Sequence, residues 1–318
     1  MPEDFLNSPS VRATISAFTR LFEDKRIDSP GLSAEILLAK ALGTSRNELL
    51  KLMVLEPDAR LTEAQFHEAE DYAERRAKGE PAAYILGVKE FYGRDFAVNP
   101  SVLIPRPETE LVVDLALDFI RTERIVHSGR EEASDPSLFA DFGTGSGCIG
   151  VTLALARPQW QGLALDISAE ALTVARENAR KHGVGNLSFV RADFSFAPVL
   201  PASLRLLAAN PPYVSDAEYR ELDPEVRGFE PKSALVPGSV HSAAPHRNKA
   251  PASGLEDALN IIAEAELLLM PGGLLLMEFG RTQAKELLSA LSNGPWAKVS
   301  VHKDMAGHNR VLAAQKHF

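Results

Sequence analysis

The chain has a single cysteine, Cys148. One thiol excludes an internal disulfide framework, a multi-cysteine metal site and an iron–sulfur cluster held by this chain alone. Long apolar runs are also missing. None approaches the roughly 20 residues needed to cross a bilayer. The opening stretch, MPEDFLNSPSV, is acidic and polar, unlike a secretory signal. A soluble, cytoplasmic protein is therefore expected. Positive charge is scarce as well: Lys and Arg number 34 against 43 Asp and Glu, a formal net charge of −9. Proteins that live on phosphate backbones usually carry a basic face, so tight sequence-blind binding of nucleic acid is a poor first reading. What remains is an ordinary folded chain. Hydrophobic residues make up 45% and charged residues 24%, which excludes broad disorder. At about 100–200 residues per domain, a chain of 318 residues suggests two.

The pattern of the chain changes twice. Residues 8–78 read as helical. Ser10 is placed to cap a helix bearing Val11, Ile15, Phe18, Leu21 and Phe22 at three-to-four spacing. A second helix follows Pro30 and ends at Gly43. Thr62 and Gln65 fit a capping box for a helix through Phe66, Ala69, Tyr72 and Ala73. Residues 79–107 are punctuated by Gly and Pro, with a hairpin signal at Tyr92–Gly93, and read as a connector. From residue 108 onward, strands alternate with helices, beginning with a helix over Glu110–Thr122 and a polar loop over 123–137. Strand–helix units of this length imply a mostly parallel sheet with helices on both faces. Ala297–Lys303 and Arg310–His317 make a final antiparallel pair. Residues 239–254 carry no apolar period and are expected to be an exposed, mobile loop.

Four motifs fall at the C-terminal ends of successive strands, where an open α/β sheet binds its ligands. The first is Asp141-x-Gly143-Thr144-Gly145-x-Gly147, between a strand and a helix whose first amide N–H groups face a polar ligand. Asp166 ends the next strand, where a carboxylate can accept both hydroxyls of a ribose. Asp193 and Phe194 follow the third strand, where a carboxylate can read an adenine amino group and a ring can lie beside the base. Asn210-Pro211-Pro212-Tyr213 follows the fourth. The dinucleotide fingerprint also fits, as Gly145-x-Gly147-x-x-Gly150. The coincidence of the four motifs, rather than the glycines alone, separates the classes. Cys148 lacks a histidine or base arrangement and reads as a small buried residue.

With these residues in view, the chain resembles the class I S-adenosylmethionine-dependent methyltransferases. More closely, it resembles the peptide-chain release factor glutamine N5-methyltransferases. The likeness covers nearly the whole chain. It includes Gly79-x-Pro81-x-x-Tyr84-Ile85-Leu86-Gly87, Leu103-Ile104-Pro105-Arg106-Pro107-Glu108-Thr109-Glu110, the glycine motif, Asn210-Pro211-Pro212-Tyr213, Glu278-Phe279-Gly280 and Ala306-Gly307-His308-Asn309-Arg310.

The resemblance implies a class I methyltransferase fold. It is Rossmann-like, a mostly parallel seven-stranded sheet with a final antiparallel hairpin, preceded by a small all-helical domain. The expected division is a helical substrate-docking domain over 1–78, a hairpin connector over 79–107 and a catalytic domain over 108–318. The implied reaction moves a methyl group from S-adenosylmethionine to the side-chain amide nitrogen of the glutamine in the Gly-Gly-Gln motif of bacterial-type release factors.

Catalysis is expected from Asn210, Pro211, Pro212 and Tyr213. The Asn210 side-chain oxygen and the Pro211 carbonyl would hold the two amide N–H groups, while Tyr213 packs on the flat amide or holds the loop. The donor is expected on Asp141, Gly143, Thr144, Gly145, Gly147, Asp166, Asp193, Phe194 and Asn210. Asp141 would meet the methionine ammonium directly or through water. Arg106 and Glu108 either shape the glutamine pocket or brace the connector, and bracing is preferred. Arg310 reads as a surface or loop-bracing residue rather than a catalyst. No metal, membrane or nucleic acid is required, and a monomer is expected. Two other readings share these motifs. One methylates an exocyclic base nitrogen, which needs base extraction and a grip on phosphate. The other is a scaffold that binds the donor without transfer.

Overall fold

A computed structural model describes residues 9–127, 137–238 and 252–318. The chain forms two compact units, one running up to Gly87 and including Asp223–Phe229, the other comprising Val88–Leu222 and Glu230–Phe318.

The first unit is helical, with helices at Val11–Asp24, Pro30–Ala41, Arg46–Leu55, Glu63–Ala77 and Ala82–Leu86. Local chemistry sets their starts. Ser10 accepts from the Ala13 N–H at 3.2 Å, and Thr62 and Gln65 form the reciprocal capping box that the sequence predicts. Phe18, Phe22, Leu37, Leu38, Leu49 and Leu61 close a common core. The span expected as a connector is split between the units. Ala82–Leu86 is a helical turn of the first, whereas residues 88–97 form a hairpin of the second.

The helix Pro224–Phe229, far along the chain, completes the helical unit. There the buried Arg76 guanidinium donates to Glu225 Oε2 at 2.7 Å and to the Glu80 carbonyl at 2.9 Å. A buried cation without its anion is strongly disfavoured.

The second unit opens with the hairpin, β1 (Val88–Phe91) and β2 (Arg94–Ala97). Tyr92 and Gly93 join them with φ of 52° and 72°, the left-handed pair of a tight type I′ turn. Seven further strands form one sheet: β3 (Leu138–Phe142), β4 (Gln161–Asp166), β5 (Leu187–Arg191), β6 (Leu204–Ala209), β7 (Leu269–Glu278), β8 (Trp296–Lys303) and β9 (Asn309–Lys316). Their order is β5-β4-β3-β6-β7-β9-β8. The first five run parallel to one another, and β9 runs antiparallel to both β7 and β8.

Alternate residues serve opposite faces. Phe139, Leu206, Ala208 and Leu276 pack with Val112, Val113, Ile149 and Val151. Ala140, Phe142, Leu207 and Met277 pack with Ile261, Ile262, Leu287 and Leu291. Both faces are covered, as a parallel sheet requires.

Several elements differ from expectation. The helix beginning at Glu110 continues to His127, into the span read as polar loop. Short helices at Asp216–Glu221 and Pro224–Phe229 are too brief to display a period, whereas Ala284–Leu291 carries Ala284, Leu287, Leu288 and Leu291 on one face. The loop expected over 239–254 falls outside the described residues, except for 252–254.

Replacing Glu225 with alanine leaves Arg76 without its anion. Because Glu225 is partly exposed, the cost should be about 2 kcal/mol, below the about 3–5 kcal/mol of a fully buried pair. Urea unfolding reads this as a lower midpoint, and an unchanged midpoint would show that the pair does not hold the segment.

Candidate active site

A cleft of about 290 Å³ opens at the C-terminal ends of β3 to β6. It is lined by Gly143, Thr144 and Gly145 after β3, by Asp166 at the end of β4, by Asp193 and Phe194 after β5, and by Asn210 and Pro212 after β6. Order reverses at β3, since β4 and β5 lie on one side of it and β6 and β7 on the other. This is the switch point at which open α/β sheets carry ligands.

The glycine loop is held from within. The Gly143 and Thr144 N–H groups both donate to the Leu165 carbonyl at 2.9 Å. The Gly145 N–H donates to Asp166 Oδ2 at 2.9 Å. Gly143, Gly145 and Gly147 all adopt positive φ. A Cβ on Gly143 would stand 3.3 Å from the Phe194 ring. The loop thus offers a ligand a close-fitting backbone surface. These loop amides are engaged within the protein, and of the first amides of the helix that follows, that of Gly150 donates to Asp141.

Asp141 lies beneath the loop, fully buried on the face covered by the Cys148–Ala156 helix. Its Oδ2 accepts from the Thr144 hydroxyl at 2.6 Å and from the Gly150 N–H at 2.9 Å. Its Oδ1 has no partner among the described residues. Burial pushes this carboxyl up to about 6, against the pull of the two donors. Asp166 is also raised by burial, although Oδ1 accepts from the Ser168 N–H at 2.9 Å. A carboxylate oxygen accepts more than one hydrogen bond, so Asp166 keeps lone pairs toward the cleft. Phe194 stacks on Phe142, ring centroids 5.9 Å apart and planes within 6°. The Asp193 carboxylate accepts from the Ser195 N–H at 2.9 Å while lining the cleft.

The loop after β6 is fixed by partners distant in sequence. The Asn210 side-chain N–H donates to the Thr109 hydroxyl oxygen at 3.1 Å. Thr109 donates to Glu278 Oε2 at 2.6 Å, and the Tyr213 hydroxyl donates to Oε1 at 3.3 Å. Asn210 Oδ1 is buried and has no partner among the described residues. Asn210 and Pro212 face the cleft, Pro211 is buried, and Tyr213 turns its hydroxyl to Glu278. Burial raises Glu278 to about 7 and Tyr213 above its ordinary range.

Arg106 lines the cleft and is paired with Glu230, whose second oxygen accepts from the Ile104 N–H at 3.1 Å. Glu108 is exposed and outside the lining. Arg310 is paired with Asp304 at 3.2 Å. Burial pushes the Cys148 thiol up to about 12, which removes it as a nucleophile at neutral pH.

Sequence reasoning assigned no chemistry to Thr109, Glu230 or Glu278. Thr109 and Glu278 lie in the Arg-Pro-Glu-Thr-Glu and Glu-Phe-Gly runs, but their contact spans 169 positions, and Glu230 stands in neither run. Among the described residues, no cluster of His, Cys, Asp or Glu could hold a metal, and no helix is long and apolar enough to cross a membrane.

Fold and cleft together define a class I methyltransferase, whose methyl donor is S-adenosylmethionine. The methyltransferase domain family matches residues 138–307, and the PrmC N-terminal domain matches residues 14–87. A release factor glutamine methyltransferase of Nitratidesulfovibrio vulgaris is 47% identical over 93% of this chain and 92% of its own length. That of Chlorobaculum tepidum is 40% identical over 98% and 99%. That of Vibrio cholerae is 35% identical over 97% of each. The chain belongs to the release factor glutamine methyltransferase family.

The residues present suit the donor. A backbone cradle, a buried carboxylate with a spare oxygen, a second carboxylate at the strand end and a ring at the far side match its ammonium, ribose and base.

The raised Glu278 carboxyl has a consequence for stability. Its ordinary value is 4.5 and its folded value about 7. The folded state therefore holds this proton where the unfolded chain has lost it, and stability falls as pH rises through that window. At 1.36 kcal/mol per unit the fall is at most about 3 kcal/mol. Glu278→Gln should flatten the decline between pH 4.5 and about 7 in denaturant titrations. The part due to Asp141, between 3.8 and about 6, should remain. An unaltered profile would mean that Glu278 titrates normally.

Proposed function

We propose that the protein transfers a methyl group from S-adenosylmethionine to the side-chain amide nitrogen of the glutamine in the Gly-Gly-Gln motif of peptide-chain release factors. The observation that carries this reading is the unpartnered Asn210 Oδ1. An acceptor buried beside a cleft, with its own N–H group tied back to Thr109, suits a substrate that brings N–H donors. A glutamine amide brings two.

The chemical difficulty is that an amide nitrogen is a weak nucleophile, because its lone pair is shared with the carbonyl. When bound, the donor supplies a methyl group already activated on a sulfonium. The protein's part is placement and electrostatics. Asn210 Oδ1 and the Pro211 carbonyl accept the two amide protons, align the nitrogen and favour the positive charge that grows on it. Proline carries no N–H, so this stretch is rich in acceptors. The two prolines hold the loop, and little ordering is left to binding. Tyr213 holds the loop through Glu278. The surplus amide proton leaves to water once transfer is complete.

Asp166 accepts the ribose hydroxyls and Phe194 flanks the adenine, with Asp193 near its amino group. Gly143, Thr144, Gly145 and Gly147 shape the methionine end, and Asp141 attracts its ammonium directly or through water. Arg106 braces the cleft wall through Glu230, and Glu108 serves bracing from the surface. The helical unit docks the release factor away from the glutamine and raises the local concentration of the reactive loop. The enzyme works as a monomer in the cytoplasm and needs no nucleic acid, in keeping with its net charge of −9.

Asn210→Ala should lower kcat on a release factor by about 100-fold or more, the scale of losing one oriented group at a reacting centre. Calorimetry should show donor affinity nearly unchanged. Turnover close to wild type would remove the amide clamp.

A further inference from the structure

We propose that Glu278 and Thr109 are positioning residues that decide which end of the Asn210 carboxamide faces the cleft. The proposal rests on the reading of Asn210 as the acceptor for the substrate amide. It follows from counting protons along a buried chain. Thr109 has one hydroxyl proton and two neighbours, Glu278 Oε2 at 2.6 Å and the Asn210 side-chain nitrogen at 3.1 Å. An ionised carboxylate can only accept. Glu278 therefore takes the Thr109 proton, as it takes the Tyr213 proton on its other oxygen. Thr109 has then only a lone pair to offer Asn210. The carboxamide must present its N–H group to Thr109, which leaves Oδ1 turned away as the buried, unpartnered acceptor.

Protonating Glu278 removes this rule. The protonated carboxyl can donate a hydrogen bond to the Thr109 oxygen, and the Thr109 hydroxyl is then free to donate to Asn210. The carboxamide is stable turned over, with its NH2 toward the cleft. An NH2 facing the NH2 of a glutamine gives donor against donor, and the acceptor clamp is lost. The ionised state of Glu278 is therefore the competent one.

The surroundings hold this switch near neutrality. Burial favours the protonated form and the Glu108 carboxylate adds to it, whereas Thr109, Tyr213 and Arg310 favour the ionised form. Arg310 is itself tied to Asp304, and the neighbouring Cys148 is a neutral thiol. The balance leaves Glu278 at about 7.

The test uses the full-length protein with Thr109→Val, Thr109→Ser and Glu278→Gln. Thr109→Val keeps the shape of the side chain and removes its hydroxyl. It should lower kcat about tenfold or more, the scale of one misoriented hydrogen bond to a reacting group, while KM for the release factor and donor affinity stay within about twofold. Thr109→Ser should restore kcat to within a few-fold. Wild-type kcat should fall on the acid side of about pH 7, and that limb should vanish in Glu278→Gln.

A second arm reads the free enzyme by NMR. Above pH 7 the Asn210 side-chain N–H protons should be protected from exchange in the wild type and lose that protection in Thr109→Val. Wild-type kcat in Thr109→Val, or equal Asn210 protection in both proteins, overturns the relay. The NMR arm needs no substrate. If release factor is not methylated at all, the substrate reading fails while the relay is still decided.

Discussion

A carboxylate buried at the end of a sheet strand needs hydrogen-bond donors, and Glu278 sits at the last position of β7 with almost no exposure. Its two oxygens draw Thr109 from the loop ahead of the first catalytic-unit helix and Tyr213 from the loop after β6. Those two contacts tie both loops to the end of β7, and Thr109 in turn accepts from the Asn210 side chain. An isolated buried charge is expensive, and donors at fixed positions reduce the cost. The same donors become geometry. What begins as solvation of one side chain ends as an oriented acceptor in a cleft.

The opposite side of the cleft follows similar logic. Asp141, next to last in β3, and Asp166, last in β4, lie on neighbouring parallel strands, and each organises the glycine loop. Asp166 holds Gly145 and Ser168, while Asp141 holds Thr144 and Gly150. The parallel topology brings these ends together, because successive strands deliver their C-termini to one edge. Two buried oxygens, Asp141 Oδ1 and Asn210 Oδ1, are left without a partner among the described residues. The protein commits its amides to its own framework and keeps acceptors in reserve, which suits a cationic donor and an N–H-bearing substrate.

Much of this was legible in the sequence. The alternating strands and helices, the final antiparallel pair and the four motifs at strand ends come from periodicity and punctuation, which are local. The Tyr92–Gly93 turn and the Thr62–Gln65 box are local as well. What stayed hidden is non-local. Nothing near Thr109 says that its hydroxyl meets Glu278, and nothing near Arg76 says that its anion is Glu225. The assignment of Pro224–Phe229 to the helical unit is hidden for the same reason. The glycine spacing indicated a ligand loop, yet whether its amides were free depended on the Leu165 carbonyl and Asp166, residues of another strand.

The central claim is that the cleft methylates a glutamine amide of a release factor. Mass spectrometry of a purified release factor, incubated with this protein and S-adenosylmethionine and then digested, tests it directly. The account predicts the gain of one methyl group on the glutamine of the Gly-Gly-Gln motif and none elsewhere. A release factor left unmodified at that glutamine, or a methyl group carried instead by nucleic acid in the same reaction, would contradict it.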